Sequence, residues 1–295
     1  MRIVKTTGIT VFLCIVFLAT IVTFAVAQEV QKPDEKREHQ KGYDDWHFSL
    51  NLYSWLYALK GNVAAKGTTS SVDVRLDDTL KLLDEIRLVL MGRYEVSKGP
   101  WGVLLDGMFL RMEDRAADAK QIQIPILVPS ELTLQGRAKV TMDTSINEAA
   151  VSYDVYTSPC LVGNMPGLVL EVLSGARYTY LRAKIDLKIQ GAGGTLTRDT
   201  DKSKEWVDPF LGGRVVWRPS EKWLMAFRTD VGGFNVSSNL TLNLNAEVAY
   251  RINKLLFLNV GYRALYDNYE TGSGDNRFAY KMWIYGPWMG VGVDF

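Results

Sequence analysis

Histidine is scarce, with two in 295 residues, His39 and His47. That scarcity argues against catalysis that pairs a serine with a histidine base. Cysteine is as rare, with Cys14 and Cys160 alone, too few for a metal-binding cysteine cluster. Neither sign of charge is in excess, with 34 basic residues against 33 acidic. The chain therefore lacks the basic footprint that nucleic acid requires. Beyond Ala27 no apolar run approaches the ~20 residues a helix needs to cross a bilayer.

What is present begins with the exception. Arg2 and Lys5 precede a continuous apolar run, Val11 to Ala25, followed by Ala25-Val26-Ala27 and the polar Gln28-Glu29. These are the three parts of a secretory signal peptide, and cleavage is expected near Ala27. The run is short for a retained anchor. Cys14 sits mid-run after Leu13 and does not fit a lipoprotein signal. Loss of residues 1–27 leaves 32 basic against 33 acidic residues, a net charge of −1, and a single cysteine, Cys160. Residues 28–44 are charged and aperiodic and read as a disordered periplasmic leader.

From Asp45 onward the pattern has period two, the signature of half-buried strands. Strand segments are expected near 46–58, 61–76, 86–98, 101–112, 134–157, 168–189, 204–218, 222–235, 239–252, 254–268 and 277–295. One face of each is polar and the other apolar. In 86–98, Arg87, Arg93 and Glu95 oppose Leu88, Leu90 and Tyr94. In 240–251, Asn243, Asn245, Glu247 and Arg251 oppose Leu240, Leu242, Leu244, Val248 and Tyr250. Trp46, Trp101, Trp217, Trp223, Tyr250, Tyr266 and Tyr285 fall near strand ends, where the aromatic girdles of membrane barrels lie. Tight turns at 97–100, 218–221 and 252–254 alternate with long polar loops expected at 113–133, 190–204 and 269–276. Asp77–Glu85 reads as a short Asp-capped helix. The fold expected is all-β, an antiparallel up-and-down transmembrane barrel over 45–295. A single-chain barrel takes an even strand number, and eleven segments are visible. Twelve strands follow if Gln121–Val128 supplies one more, with ten as the alternative.

The last segment places Trp283, Tyr285, Pro287, Met289, Val291, Val293 and Phe295 on one face. Ile284, Gly286, Trp288, Gly290, Gly292 and Asp294 take the other. A terminal Phe preceded by apolar residues at every second position, here Tyr285, Met289, Val291, Val293 and Phe295, resembles the signal read by the barrel-assembly machinery. With Phe48-Ser49-Leu50, Tyr53-Ser54-Trp55, Leu90 to Glu95, Gly99-Pro100-Trp101-Gly102, Gly175 to Tyr178, Asp230 to Phe234, Gly261-Tyr262-Arg263 and Tyr285-Gly286-Pro287, residues 46–295 resemble a largely uncharacterised, porin-like family of proteobacterial outer-membrane β-barrel proteins. The resemblance implies the fold and a place in the outer membrane of a Gram-negative bacterium. It supplies no substrate and no active site.

Chemistry is poorly represented. His47, Ser49 and Asn51 share one face, but neighbours two apart on a strand do so by geometry alone; no enzyme is expected, and an outer-membrane lipid-modifying enzyme, which needs a histidine base beside a serine, is the least favoured reading. Asp77, Asp78, Asp84 and Glu85 read as solvated helix and loop charges. Gly191-Ala192-Gly193-Gly194 opens no helix and lacks the Lys-Ser/Thr of a phosphate loop. No metal or cofactor is expected. The functional candidate is the lumen-facing set Arg87, Arg93, Glu95, Asp106, Glu171, Arg177, Asp208, Arg214, Arg228, Asp230, Glu247, Arg251, Arg263 and Asp267, with Asp294. Charges so dense must pair or meet water. Hydrated, they would line a porin-like path for a small solute of unknown identity. Paired, they would close the lumen of a structural or interaction barrel. The partners expected are outer-membrane lipid, lipopolysaccharide and, during insertion, the assembly machinery.

Overall fold

Alternation in the sequence becomes a wall with two opposite faces. The computed structural model describes residues 43–65, 68–81, 86–116, 137–191 and 194–295. The signal segment and nearly all of the leader lie outside them, as do His39 and Gln121–Val128. Among the described residues no helix is long and apolar enough to cross a membrane. Among the described residues fourteen strands form. They are β1 (Trp46–Trp55), β2 (Ala58–Ala65), β3 (Thr68–Val74), β4 (Ile86–Lys98), β5 (Trp101–Ala116), β6 (Arg137–Thr157), β7 (Leu161–Val162), β8 (Met165–Pro166), β9 (Leu168–Gly191), β10 (Gly194–Ser220), β11 (Trp223–Gly232), β12 (Ser238–Arg251), β13 (Leu256–Thr271) and β14 (Phe278–Asp294). A short helix, α1, spans Leu76–Lys81, and a 3-10 turn spans Gly274–Asn276.

Ten strands close a barrel in the order β1-β4-β5-β6-β9-β10-β11-β12-β13-β14, with β1 pairing back to β14. All pairings are antiparallel. Closure is made by Ser49↔Asp294 through Trp55↔Trp288. It is finished by reciprocal 2.9 Å bonds between the backbones of Phe48 and Phe295, whose rings stack at 5.6 Å. Closure satisfies every wall strand on both sides, as a strand in hydrocarbon requires.

The two faces are sorted as in a barrel immersed in lipid. Outside, Trp101, Val103, Leu105, Leu211, Leu258, Val260, Met289 and Val291 are exposed. Trp46, Trp101, Trp217, Trp223 and Tyr250 ring the end that carries the tight turns, with edge-on pairs Trp101–Tyr153 and Trp223–Tyr250. On β5 the apolar outer face runs from Trp101 to Phe109, within the ~9–11 residues of a membrane crossing. Immediately beyond, the outer face turns ionic. Arg111 grips Asp143 at 2.6 and 2.9 Å, and Arg182 grips Asp201 at 2.9 and 2.5 Å.

The barrel's strand number is even, and it is the alternative, ten, in place of twelve. The surplus segment is 61–76, which is a β2–β3 hairpin and not a barrel strand. β2 continues along β14 in the register that β1 began, Ala58↔Tyr285 through Ala65↔Phe278. At Leu56–Tyr57 the strand leaves β4 and takes β3 as its other neighbour. β14 prepares the break. Pro287 has no N–H to offer and accepts from Leu56 N at 3.0 Å. A Cβ on Gly286 would stand 2.0 Å from the Leu56 carbonyl oxygen. β4 supplies no carbonyl at this point, and the Trp55 amide donates to Met91 Sδ at 3.2 Å. The sheet thus has twelve strands and the barrel ten.

Three further expectations change. Residues 190–204 are not a long loop, because β9 runs to Gly191 and β10 starts at Gly194. Their polar alternation is strand that stands beyond the membrane band. β13 likewise carries strand to Thr271, leaving 272–277 as the connection. The helix starts at Leu76, and Asp78 is not its cap but reaches back to the Arg75 N–H at 3.3 Å, as in a capping box. The β7–β8 mini-hairpin between β6 and β9, close to exposed Cys160, had no sequence signal.

Candidate functional site

The lumen is the one place where the polar faces of all ten strands converge, and side chains fill it. A barrel of this strand number is only wide enough for that. Five arginines meet six carboxylates (Arg93, Arg177, Arg214, Arg228 and Arg263 with Glu95, Asp106, Glu148, Glu171, Asp230 and Glu247).

Glu148 on β6 is the hub. Its Oε1 accepts from Arg177 Nε at 2.9 Å and from Arg263 Nη2, and its Oε2 accepts from Arg228 Nη2 at 2.8 Å. Asp230 on β11 is the second node. It takes Arg177 Nη2 at 2.7 Å and Arg228 Nη2 and Asn243 Nδ2, each at 2.8 Å. Arg263 on β13 adds Asn243 Oδ1 at 3.0 Å and Asp106 at 3.3 Å. Towards the short-turn end, Arg93 holds Glu247 at 2.6 Å and Glu95 at 3.2 Å. Arg214 bridges Glu95 at 2.7 Å and Glu171 at 2.8 Å. Phe210 lies between Arg177 and Arg228, at 5.1 and 5.3 Å from its ring centre. Arg263 lies over Trp55 and Arg93 over Trp288.

Burial decides what this network does. Arg177 is 1 % exposed and Glu148 4 %. Groups so far from water cannot act as hydrated selectors while they keep these partners. Planar guanidinium forks suit the work, since each can bond two or three carboxylates at once. Towards the other end the filling becomes apolar. Met108, Ile146, Leu181, Trp206, Leu265, Met282 and Ile284 form one cluster with Val63 and Val72 of the β2–β3 hairpin. Trp206 stacks on Tyr269 at 4.3 Å.

Of the charges expected in the lumen, most join this network. Asp208 and Asp267 stand apart in a cluster of their own with Ser238. Arg251 pairs with Asp294 at 2.7 Å, exposed at the short-turn rim. The side chain of Arg87 lies outside the described residues. Glu148 was missed, although its face is legible: Ile146, Glu148, Ala150, Ser152 and Asp154 alternate against Val151 and Tyr153. The apolar residues on that face hid it. Asn243 and Asn51, which parity places on polar faces, were left out of the candidate set as neutral, as was Asn259. Asn51 keeps both amide atoms without a partner among the described residues. His47, Ser49 and Asn51 do share the inner face, with His47 opposite Ser97. Met289, Val291 and Phe295 face outward and exposed, with Tyr285 and Val293 in the same outward register. Among the described residues no group of His, Cys, Asp and Glu could hold a metal.

Two further features adjoin this network. A groove of about 570 Å³ on the wall is lined by Gly92, Gly107, Asn147, Ala149 and Ala176, among others. At the short-turn end, Tyr43 OH donates to Asp154 at 2.5 Å and the Tyr43 carbonyl accepts from Gly99 N at 3.0 Å. Burial pushes the Asp154 carboxyl up to about 6, partly offset by the Tyr43 hydrogen bond.

No family model and no curated protein sequence matches the chain, so the family resemblance rests on its residues alone. Several solved outer-membrane barrels are similar over most of the chain. The attachment invasion locus protein Ail of Yersinia pestis is 11 % identical, covering 85 % of this chain and 98 % of its own, at a TM-score of 0.31. The translocator domain of the autotransporter NalP of Neisseria meningitidis is 12 % identical, covering 95 % and 96 %, at 0.39. The toluene transporter TodX of P. putida is 10 % identical, covering 86 % and 91 %, at 0.30. No residue role or ligand is carried over from likenesses this loose.

Proposed function

We propose that the chain is an integral outer-membrane β-barrel, closed along its axis, that acts as a structural or interaction protein. In this reading the tight turns and Phe295 lie on the periplasmic side, and the tall β5–β6 and β9–β10 strands stand outside the cell. One observation carries the reading. The charges that would line a solute path are buried and spent on one another, around Glu148 and Asp230. Lipopolysaccharide and lipid are the partners proposed for the outer wall, and residues 285–295 the signal for the assembly machinery.

The porin-like reading of the same residues needs Arg93, Arg177 and Arg228 to leave their carboxylates. Planar-bilayer recording on the refolded barrel separates the two. The closed reading expects no steady conductance, and Arg93→Ala or Arg228→Ala to lower the melting temperature. A stable wild-type conductance whose ion preference shifts in those variants overturns it.

A further inference from the structure

The charge network leaves two carboxyls out. Asp208 on β10 is 0 % exposed and Asp267 on β13 is 3 % exposed. Among the described residues neither has a lysine or arginine nitrogen within salt-bridge distance. Between them stands Ser238, the first residue of β12, also 0 % exposed. Its Oγ lies 2.6 Å from Asp208 Oδ2 and 2.9 Å from Asp267 Oδ1. The outer oxygens are satisfied separately. Asp208 Oδ1 accepts Ser238 N–H at 2.7 Å, and Asp267 Oδ2 accepts Trp206 Nε1–H at 3.1 Å.

Counting hydrogens gives the result. A serine hydroxyl owns one proton and can donate once. Two O···O contacts of hydrogen-bond length need two hydrogens. The second must ride on a carboxyl, which then donates to Ser238 Oγ. We infer that Asp208, Ser238 and Asp267 form a latch that holds one shared proton, and that loss of this proton releases the β11–β12 turn.

The surroundings favour the protonated pair. On β9, Arg177 stands opposite Asp208, but its nitrogens go to Glu148, Asp230 and, at 3.3 Å, Thr241. On β10, Lys204 lies over the Phe278 ring. On β12 and β14 the residues opposite Asp267 are Thr241 and Met282, both uncharged. Tyr269 and Tyr280 pack on Trp206. Asp230 and Glu148, the nearest acids of the network, are already bound to arginine. Among the described residues a second negative charge in this pocket would find no lysine or arginine within salt-bridge distance, and like charges that share a site cannot both ionise freely.

The turn supplies the mechanical load. Gly233, Phe234 and Asn235 all have positive φ, 86°, 48° and 60°, and left-handed non-glycine residues persist only where neighbours hold them. Ser238 is tied through its amide and hydroxyl to β10 and through its hydroxyl to β13, while Gly233 N donates to Pro209 O at 3.0 Å. When the proton leaves, one hydroxyl must serve two carboxylates, and one side of the latch opens.

Infrared spectroscopy of the refolded barrel, in an Asp154→Asn background and with ¹³C-labelled aspartate, tests this. The expected result is an aspartic-acid C=O band at neutral pH. It should titrate away as pH rises, along with a fall in melting temperature, and Asp267→Asn should abolish both the band and the fall. Absence of the band in the folded protein at neutral pH overturns the inference. So does its persistence in both Asp208→Asn and Asp267→Asn. Should these variants not refold, the titration of the background protein decides by the same criterion.

Discussion

At the scale of single residues, the lumen is governed by the cost of stranding a charge. Glu148 receives three arginines, and neutralising it leaves Arg177, Arg228 and Arg263 short of a counter-ion in a buried site. Breaking such a pair costs about 3–5 kcal/mol, so Glu148→Gln should lower the thermal midpoint strongly while leaving the outer wall untouched. Tryptophan fluorescence or heat-modifiable migration in a gel measures it. Loss of no more than a degree or two would mean the network is redundant. Asp154 predicts a different pH behaviour. Its carboxyl is held at about 6, above the ordinary 3.8, because burial disfavours the charge. The folded state then binds this proton more tightly than the unfolded state, and stability falls as pH rises from the unfolded value through the folded one. Asp154→Asn should flatten that part of the profile, whereas Tyr43→Phe should move it upward by removing a donor from the carboxylate. Which residues face inward was legible from parity, and Arg93, Arg177, Arg228 and Asp230 are where alternation put them. Which of them touch was not legible, since bonded partners stand as far as 157 residues apart and the barrel circumference decides who meets.

At the scale of elements, the break at Leu56–Tyr57 sets the strand count. Period-two patterning runs on through a hairpin as through a straight strand, so 61–76 looked like one more crossing. Gly286-Pro287 was visible as a motif, yet only the register shows why both are needed. Proline withdraws a donor and glycine admits the Leu56 carbonyl. Gly286→Ala should therefore cost about 2 kcal/mol or more, the scale of an overpacked site. Reduced folding yield and a lower midpoint in detergent would show it, with Gly92, where an added Cβ would meet only Leu52 Cδ2 at 3.4 Å and the Asn51 carbonyl oxygen at 3.5 Å, as the control position. An unchanged midpoint would mean the β1–β2 path is more pliable than its contacts suggest. The same blindness made 190–204 a loop. Polar residues on both faces signal solvent, and strand that stands clear of the membrane is solvated on both faces too.

At the scale of the whole molecule, the sequence made the architecture plain because a membrane barrel must repeat one rule on every strand, apolar outward and polar inward. Whether the lumen conducts was left open, and fittingly so, for it depends on the fit of side chains contributed by every strand. The absence of conductance expected above is a property of this assembly and of no single residue, so partial loss of the network should produce noisy, unstable openings before a defined pore.

The rim of the barrel is uneven. β10 pairs with β11 only as far as Phe210↔Gly232, then continues with β9 alone from Pro209 to Gly194, while β11 and β12 turn back at residues 233–237. The molecule therefore has a compass bearing within the plane of the membrane. In the orientation proposed above, surrounding glycolipid headgroups would overtop the wall on its low side, and on its high side a ribbon of backbone would clear them. Antibodies, proteases or a neighbouring cell would meet one flank only. Two copies turned by half a circle would present quite different profiles to the same visitor.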